Sequence, residues 1–246
     1  MFFRQRVNPD ASLSYFFGCA GKGRAIAVDV LASDEGWYVE QASKLNVAIT
    51  HVIDTHIHAD HRSGGLALAN MAGAVYALHE SNEGKTGFTF TPLKDNEEIA
   101  VGNVQVQVMH TPGHTADSLC LLVTDLRRGE EPWFVLTGDT MFVGSVGRPD
   151  LAGREVEMAE TLWQSLHDRL LTLPDHLEIF PGHQSGSPCG ADLSGKPSST
   201  IGFEARFNPL LSMEKQAFVA ALTAQIPPRP DDMDRLVALN LGLVAA

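Results

Sequence analysis

The sequence has few cysteines, no long hydrophobic run and a shortage of basic residues, and each of these excludes a class of protein. Cys19, Cys120 and Cys189 are widely spaced and form no CxxC motif, which argues against a disulfide framework and favours a reducing cytoplasm. No run of about 18 apolar residues occurs, so we expect no membrane span. The 18 basic against 30 acidic residues give a net charge of -12, which argues against a nucleic acid partner.

Apolar residues in strand and helix patterns are what the sequence does contain. Its 246 residues are 44% hydrophobic, enough to bury a sizeable core. We expect one domain over residues 1–246 with a C-terminal helical extension at about 212–246. Spacing of apolar residues predicts helices at 34–46 and 157–174, and composition predicts a loop at 185–200. Further apolar runs predict strands, among them VAITHVIDTH, NVQVQVMHTPGH, PWFVLTGDTMF and LEIFPGH.

Histidines and aspartates gather in four places, each directly after a predicted strand. Ligands gather at the carboxyl ends of strands in layered α/β folds, so we expect the four places to converge. Imidazole and carboxylate suit zinc, iron or manganese, and the absence of cysteine disfavours a structural zinc site. The sequence therefore predicts a metal centre built from His56, His58, Asp60, His61, His114, Asp139 and His183.

The order and spacing of these residues resemble the motif set of the metallo-β-lactamase superfamily. The matching pattern is His56-x-His58-x-Asp60-His61, followed by His114, Asp139 and His183. The resemblance covers nearly the whole chain. It implies an α/β fold of four layers, the αββα sandwich, in which two mixed sheets pack face to face with helices outside. The site then lies at one edge of the sandwich.

Two kinds of metal centre are compatible with this motif set. Resemblance to dinuclear hydrolases such as glyoxalase II implies two metals, with His56, His58 and His114 on one and Asp139 bridging to the other. The second metal would then be held by Asp60, His61 and His183. Resemblance to the persulfide dioxygenases implies one Fe(II) held by His56, His114 and Asp139, the facial triad of non-haem iron oxygenases. The remaining four residues would then surround the centre, orienting ligands and handling protons.

Two further stretches favour the persulfide dioxygenases. Gly147-Arg148-Pro149-Asp150 and the Arg206 of FEARFNPLL resemble that family, in which the two arginines lie near the carboxylates of a glutathione-type substrate. Glyoxalase II proteins usually carry an aromatic residue at the position of Asp150. The planar fork of arginine also suits a carboxylate. Residues 183–209 and 226–242 resemble the bacterial branch in which the dioxygenase is fused to a rhodanese domain.

The sequence thus predicts a dioxygenase with one Fe(II) per chain, which oxidises a low-molecular-weight thiol persulfide to sulfite and free thiol. Glutathione persulfide is the first expected substrate, and Asp60 or His183 is expected to assist water. Cys189 is expected to relay sulfur. A homodimer and a rhodanese-type sulfurtransferase partner are also expected. The alternative is a thioester hydrolase with two zinc ions or mixed metals. A persulfide sensor fits less well, because no stretch resembles a basic DNA-binding helix and the chain is acidic. A β-lactamase or lactonase gives no reason for Arg148 and Arg206.

Overall fold

The structure is a computed structural model that describes residues 1–149, 153–187, 189–190, 193–224, 226 and 232–245. Within these ranges the strands form two six-stranded sheets. The first sheet has the order β1-β2-β3-β4-β5-β6, with β1 Phe2–Val7, β2 Leu13–Cys19, β3 Arg24–Val28, β4 Ala48–Ile53, β5 Val75–His79 and β6 Thr91–Leu93. The second has the order β12-β11-β10-β9-β8-β7, with β7 Glu98–Val101, β8 Val104–His110, β9 Leu119–Asp125, β10 Phe134–Gly138, β11 Glu178–Pro181 and β12 Ser199–Thr200.

Six α-helices occur in the described ranges, and none of them is long and apolar enough to cross a membrane. The helices are α1 Glu35–Leu45, α2 Gly65–Ala72, α3 Glu155–Ser165, α4 Ile201–Phe207, α5 Lys215–Ala224 and α6 Met233–Asn240. A π-helical turn, Leu166–Leu170, continues α3.

The core consists of three apolar layers, because the central strands are buried on both faces. Between the sheets, β2 contributes Leu13, Tyr15 and Phe17, which pack with inward residues of β8, β9 and β10. The opposite face of β2 carries Phe16, which packs with Tyr38 of α1 in the layer under α1 and α2. On the outer face of the second sheet, α3 and α5 cover Val135 and Ile179. Helix, sheet, sheet and helix follow one another, which confirms the predicted αββα sandwich.

Strand direction brings the functional loops to one edge. Strands β10 and β11 are parallel, and β8 runs the same way because both β8 and β10 are antiparallel to β9. Their carboxyl ends therefore lie at one edge of the second sheet. The loop after β4 of the first sheet joins this edge through Leu119, whose N–H donates to the carbonyl oxygen of Thr55 at 2.8 Å.

Most predicted elements are confirmed, with small differences in their bounds. The helix predicted at 34–46 is α1, and the helix predicted at 157–174 is α3 with its π-helical continuation. The loop prediction for 185–200 is wrong at its end, where Ser199 and Thr200 form β12 and pair antiparallel with β11. Residues 188, 191 and 192 of that segment lie outside the described residues, as does Asp150 of the GRPD stretch.

Candidate metal centre

Three of the predicted residues form a compact buried group. One ligand atom each from His56, His114 and Asp139 lie within 4.8 Å of one another. His56 lies in the loop after β4, His114 in the turn after β8, and Asp139 directly after β10. Their exposed fractions are 2%, 0% and 1%, so water competes little for these atoms.

One ring nitrogen of His56 makes a hydrogen bond within the protein, and the other has no hydrogen-bond partner. The Thr55 hydroxyl donates to Oδ2 of Asp29 at 2.9 Å, so its oxygen accepts from Nδ1–H of His56 at 3.0 Å. The proton is thereby fixed on Nδ1, and the buried Nε2 has no hydrogen-bond partner. Burial and the neighbouring His58 hold the pKa of His56 well below its ordinary value. His56 is therefore a neutral imidazole with a bare nitrogen, the form that binds a metal.

His114 repeats this arrangement from the second sheet. Its Nδ1 donates to the backbone carbonyl of Arg148 at 2.9 Å, and its buried Nε2 has no hydrogen-bond partner. That Nε2 lies 3.4 Å from Oδ2 of Asp139. Burial opposes ionisation of Asp139, but the surrounding histidines, His183 first, hold the pKa of its carboxyl well below the usual range. Two bare imidazole nitrogens and one carboxylate thus point at a common space, and this donor set fits a metal ion.

His58 does not join the first group. Its Nε2 lies 3.3 Å from Oδ1 of Asp29, and its ligand atoms group with Asp29 and Asp54, or with Asp60 and His61. Burial disfavours a charged His58, but the close carboxylate of Asp29 outweighs it and raises the pKa of His58 to about 9. Before a metal binds, His58 is therefore an imidazolium paired with Asp29.

The other predicted residues lie beside the first group. His183 bridges two carboxylates, with Nδ1 at 2.9 Å from Oδ1 of Asp139 and Nε2 at 2.8 Å from Oδ2 of Asp60. Although burial opposes protonation, these carboxylates raise the pKa of His183 well above its ordinary value. Asp60 also contacts His61, whose Nδ1 lies 3.1 Å from its Oδ1. Such a cluster can hold a second metal or store a proton.

Cys189 also lies close to this cluster. It is 5% exposed, and its sulfur lies within 4.8 Å of ligand atoms of Asp60 and His183. Burial raises the pKa of its thiol well above the ordinary value, and the charges of Asp60 and Asp139 add to this rise. The predicted sulfur relay has the required proximity but starts from a protonated thiol, and it stays a prediction.

The two predicted substrate arginines lie in different surroundings. Arg148 is 7% exposed, and its backbone carbonyl orients His114, a contact that the sequence did not indicate. Arg206 lies on the exposed side of α4, with its guanidinium 5.9 Å from the centre of the Phe207 ring. The buried side of α4 carries Glu204, which accepts from the N–H of Gly144 at 2.8 Å. Binding of substrate by the two arginines stays a prediction.

Sequence reasoning missed three residues that support the centre. Asp29 and Thr55 support His56 and His58 as described above, and both could have been found, since they too follow apolar strands. Asn240, the last residue of α6, contacts the backbone of the loop that carries His58 and His61. No local pattern in the sequence points to Asn240.

Comparison with known proteins gives one family, and its relatives include a persulfide dioxygenase and a hydroxyacylglutathione hydrolase. Residues 7–183 match the model of the metallo-beta-lactamase superfamily. The mitochondrial persulfide dioxygenase ETHE1 of Bos taurus is 25% identical, covering 97% of this chain and 87% of that protein. A hydroxyacylglutathione hydrolase of Polaromonas sp. strain JS666 is 26% identical, covering 92% of this chain and 91% of that protein. The crystal structure of ETHE1 from Myxococcus xanthus is 28% identical and superposes with a TM-score of 0.84, covering 99% of both chains.

Proposed function

Because the chain belongs to the metallo-β-lactamase superfamily, we propose that it is an iron(II)-dependent dioxygenase that oxidises a low-molecular-weight thiol persulfide. The observation that carries this proposal is that His58 pairs with Asp29 and does not share the ligand-atom group of His56, His114 and Asp139, although its ring centre lies 4.3 Å from that of His56. A dinuclear hydrolase of the expected pattern needs His58 on the first metal. The similarity to persulfide dioxygenase ETHE1 over nearly the full chain supports the same reading.

The donor set suits iron(II) held by two histidines and one carboxylate. Bound iron(II) supplies open coordination positions at which a persulfide sulfur and dioxygen can meet. The chain's part is to hold the three donor atoms in place. Thr55 and the carbonyl of Arg148 fix the ring orientations of His56 and His114, and such partners also raise the basicity of the ligands.

The proposed reaction converts a persulfide, dioxygen and water into a thiol, sulfite and two protons. The terminal sulfur loses four electrons, dioxygen takes up four, and the bond between the two sulfur atoms breaks. The leaving thiol needs a proton, and the entering water must lose protons. His183 lies between the carboxylates of Asp60 and Asp139 with a raised pKa, so we assign the supply of the thiol proton to it. Once neutral, His183 can accept a proton from the entering water, and Asp60, whose pKa is held well below its ordinary value, would orient that water by accepting a hydrogen bond.

The first experiment compares metal content and reaction type. Protein purified without added zinc is analysed for metal, then tested for oxygen uptake with glutathione persulfide and for hydrolysis of S-lactoylglutathione. We expect one iron per chain, oxygen uptake and no thioester hydrolysis. Two zinc ions per chain with thioester hydrolysis and no oxygen uptake would instead establish the alternative.

The alternative, a dinuclear thioester hydrolase, has its own support. Asp60, His61 and His183 lie together beside Asp139, and a hydroxyacylglutathione hydrolase is among the relatives. Two variants separate the readings. With one iron, His61→Ala keeps the metal and His114→Ala loses it. With two metals, His61→Ala loses one of them and most of the hydrolysis.

We propose that the substrate is anionic and that Arg148 and Arg206 bind its carboxylates. The exposed guanidinium of Arg206 can reach a ligand without breaking the core. Arg206→Ala should raise KM and lower kcat/KM about ten- to a hundredfold, the value of one charge-assisted hydrogen bond, while metal content is unchanged. The matched control is Arg128→Ala, since Arg128 is also exposed and packs over an aromatic ring, that of Trp133. Equal kinetics for the two variants would remove Arg206 from the substrate site.

Three further expectations stay predictions. A homodimer can be measured by light scattering of the purified chain. A rhodanese-type sulfurtransferase partner would accept or supply the persulfide, and we propose it as the partner. The three free, buried cysteines are compatible with the proposed cytoplasmic location.

A further inference from the structure

We propose that Asn240 is a positioning residue for the metal centre, and that its carboxamide holds the loop of residues 56–63 in metal-binding geometry. This inference rests on the proposed metal centre but not on which reaction the centre carries out. Asn240 ends α6 and is separated from its partners in this loop by 177 to 182 residues.

The Asn240 side chain uses all of its polar groups on this one loop. Its Nδ2 donates to the carbonyl oxygens of His58 and His61, both at 2.8 Å. Its Oδ1 accepts from the N–H of Ser63 at 2.9 Å. A carboxamide has two N–H donors and one carbonyl acceptor, and the loop offers two acceptors and one donor, so these three hydrogen bonds fix the orientation of the carboxamide. The side chain is 7% exposed, and water cannot easily replace these bonds.

The C-terminal segment is itself fixed against the first sheet. The N–H of Gly87 donates to the carbonyl oxygen of Leu241 at 2.7 Å. Val237 and Leu241 pack on the apolar layer under α1 and α2, and that layer also contains Ile57 of the metal-ligand loop. Asn240 therefore connects the loop to a helix end that other contacts already hold.

The metal-ligand loop needs such support because it presents so many ligands in a short span. His56, His58, Asp60 and His61 lie within six residues of a segment that forms neither strand nor helix, so its backbone carbonyls lack the regular hydrogen-bond partners of those elements. A buried carbonyl without a donor is costly, and the loop would rearrange to satisfy the carbonyls of His58 and His61. Rearrangement would move the imidazoles on the same residues. Loss of such outer contacts typically lowers metal affinity about ten- to a hundredfold.

The test measures metal retention without substrate. Wild type, Asn240→Ala, Asn240→Asp and the control Asn70→Ala are loaded with cobalt(II), and transfer of the metal to a chelator is followed by absorbance. Asn70 lines the same cavity as Asn240 but is exposed on α2 and makes no hydrogen bond to the loop of residues 56–63 in the described part of the chain. We expect about ten- to a hundredfold faster metal loss for both Asn240 variants and an unchanged rate for Asn70→Ala. Metal loss from Asn240→Asp should be at least as fast as from Asn240→Ala, because a carboxylate keeps the shape of the side chain but repels the carbonyl oxygens of His58 and His61.

Several outcomes would overturn the positioning role. One is a metal transfer rate within about twofold of wild type in Asn240→Asp, even with a lowered Tm, since Asn240 would then only stabilise the fold. Another is equally fast metal loss from Asn70→Ala.

If the variants do not fold, hydrogen exchange in the metal-free wild type tests whether the contact between Asn240 and the loop exists. The Ser63 amide should be protected, and exchange as fast as in exposed loops would refute the contact. A wild type that binds no metal would refute the role outright, whereas a zinc thioesterase with loosened metal in the variants would refute only the proposed reaction.

Discussion

His56 and His114 each use one ring nitrogen on the protein and leave the other bare. In both cases the contact lies on Nδ1, with a hydroxyl oxygen for His56 and a backbone carbonyl for His114. Because the acceptor fixes the tautomer, the ligand nitrogen is set before any metal arrives. His183 differs, since a carboxylate oxygen lies 2.9 Å from its Nδ1 and another lies 2.8 Å from its Nε2. The histidines of one motif set thus have different chemical states, which follow from their partners rather than from their spacing.

Replacing Thr55 tests this control of the tautomer. Thr55→Val keeps the side-chain shape but removes the acceptor for Nδ1–H of His56 and a donor to Asp29, so metal affinity should fall about ten- to a hundredfold. The chain offers a matched control in Thr50, whose hydroxyl lies 3.0 Å from Nδ1 of His51, away from the predicted ligands. Competition with a metal indicator gives the affinities. Equal affinities for Thr55→Val and Thr50→Val would show that the hydroxyl of Thr55 has no influence on the metal.

Elements with strong apolar patterns could be predicted from the sequence, and so could the strand ends that carry the seven metal-site residues. The short edge elements could not: β6 has three residues and β7 has four, too few to show an alternation. Helix α4 has only seven residues and follows a segment rich in glycine, serine and proline, so its helical pattern is too short to be recognised in the sequence. The pairing of His58 with Asp29 and the contacts of Asn240 join distant segments, so no local pattern contains them.

Two helices carry a glycine in their first turn, and replacing these two glycines should have opposite effects. Gly36 lies in the first turn of α1 with open space around its Cβ position, so Gly36→Ala should raise the free energy of unfolding by up to about 0.5–1 kcal/mol. Gly65 begins α2, and an added Cβ would lie 2.7 Å from both Oδ1 of Asp54 and a ring carbon of Tyr76. Gly65→Ala should therefore lower that free energy by about 1–3 kcal/mol. Urea unfolding measures both, and a loss of stability in Gly36→Ala would contradict the assigned packing of α1.

At the scale of the whole molecule, the candidate metal centre lies between the two sheets. His56 follows a strand of the first sheet, whereas His114 and Asp139 follow strands of the second. A bound metal therefore links the sheets at their shared edge, and unfolding must break that link. Metal binding to the folded chain alone adds stability that grows with metal concentration.

Thermal unfolding with and without metal tests this link. At a free metal concentration a hundred times the Kd, the added stability is about 2.7 kcal/mol, which raises Tm by roughly 5–11 °C in a chain of this size. Asp139→Ala removes a ligand and should abolish the rise in Tm. A wild-type Tm that does not respond to metal would mean that the three ligands do not bind it together.

The burial of the cysteines has a consequence for chemical durability. Cys19, Cys120 and Cys189 are 4%, 0% and 5% exposed, and burial raises the pKa of Cys120 to about 11. Persulfides exchange sulfur with thiolates, and a thiol that is both protonated and inaccessible exchanges slowly. None of the donor atoms of His56, His114 and Asp139 is sulfur, so the ligands themselves also lie outside this exchange chemistry. Under the proposed function, the core thiols Cys19 and Cys120 and the metal ligands would be inert toward the substrate, so repeated turnover would leave them unmodified. The predicted sulfur relay would concern Cys189 alone, which lies beside Asp60 and His183.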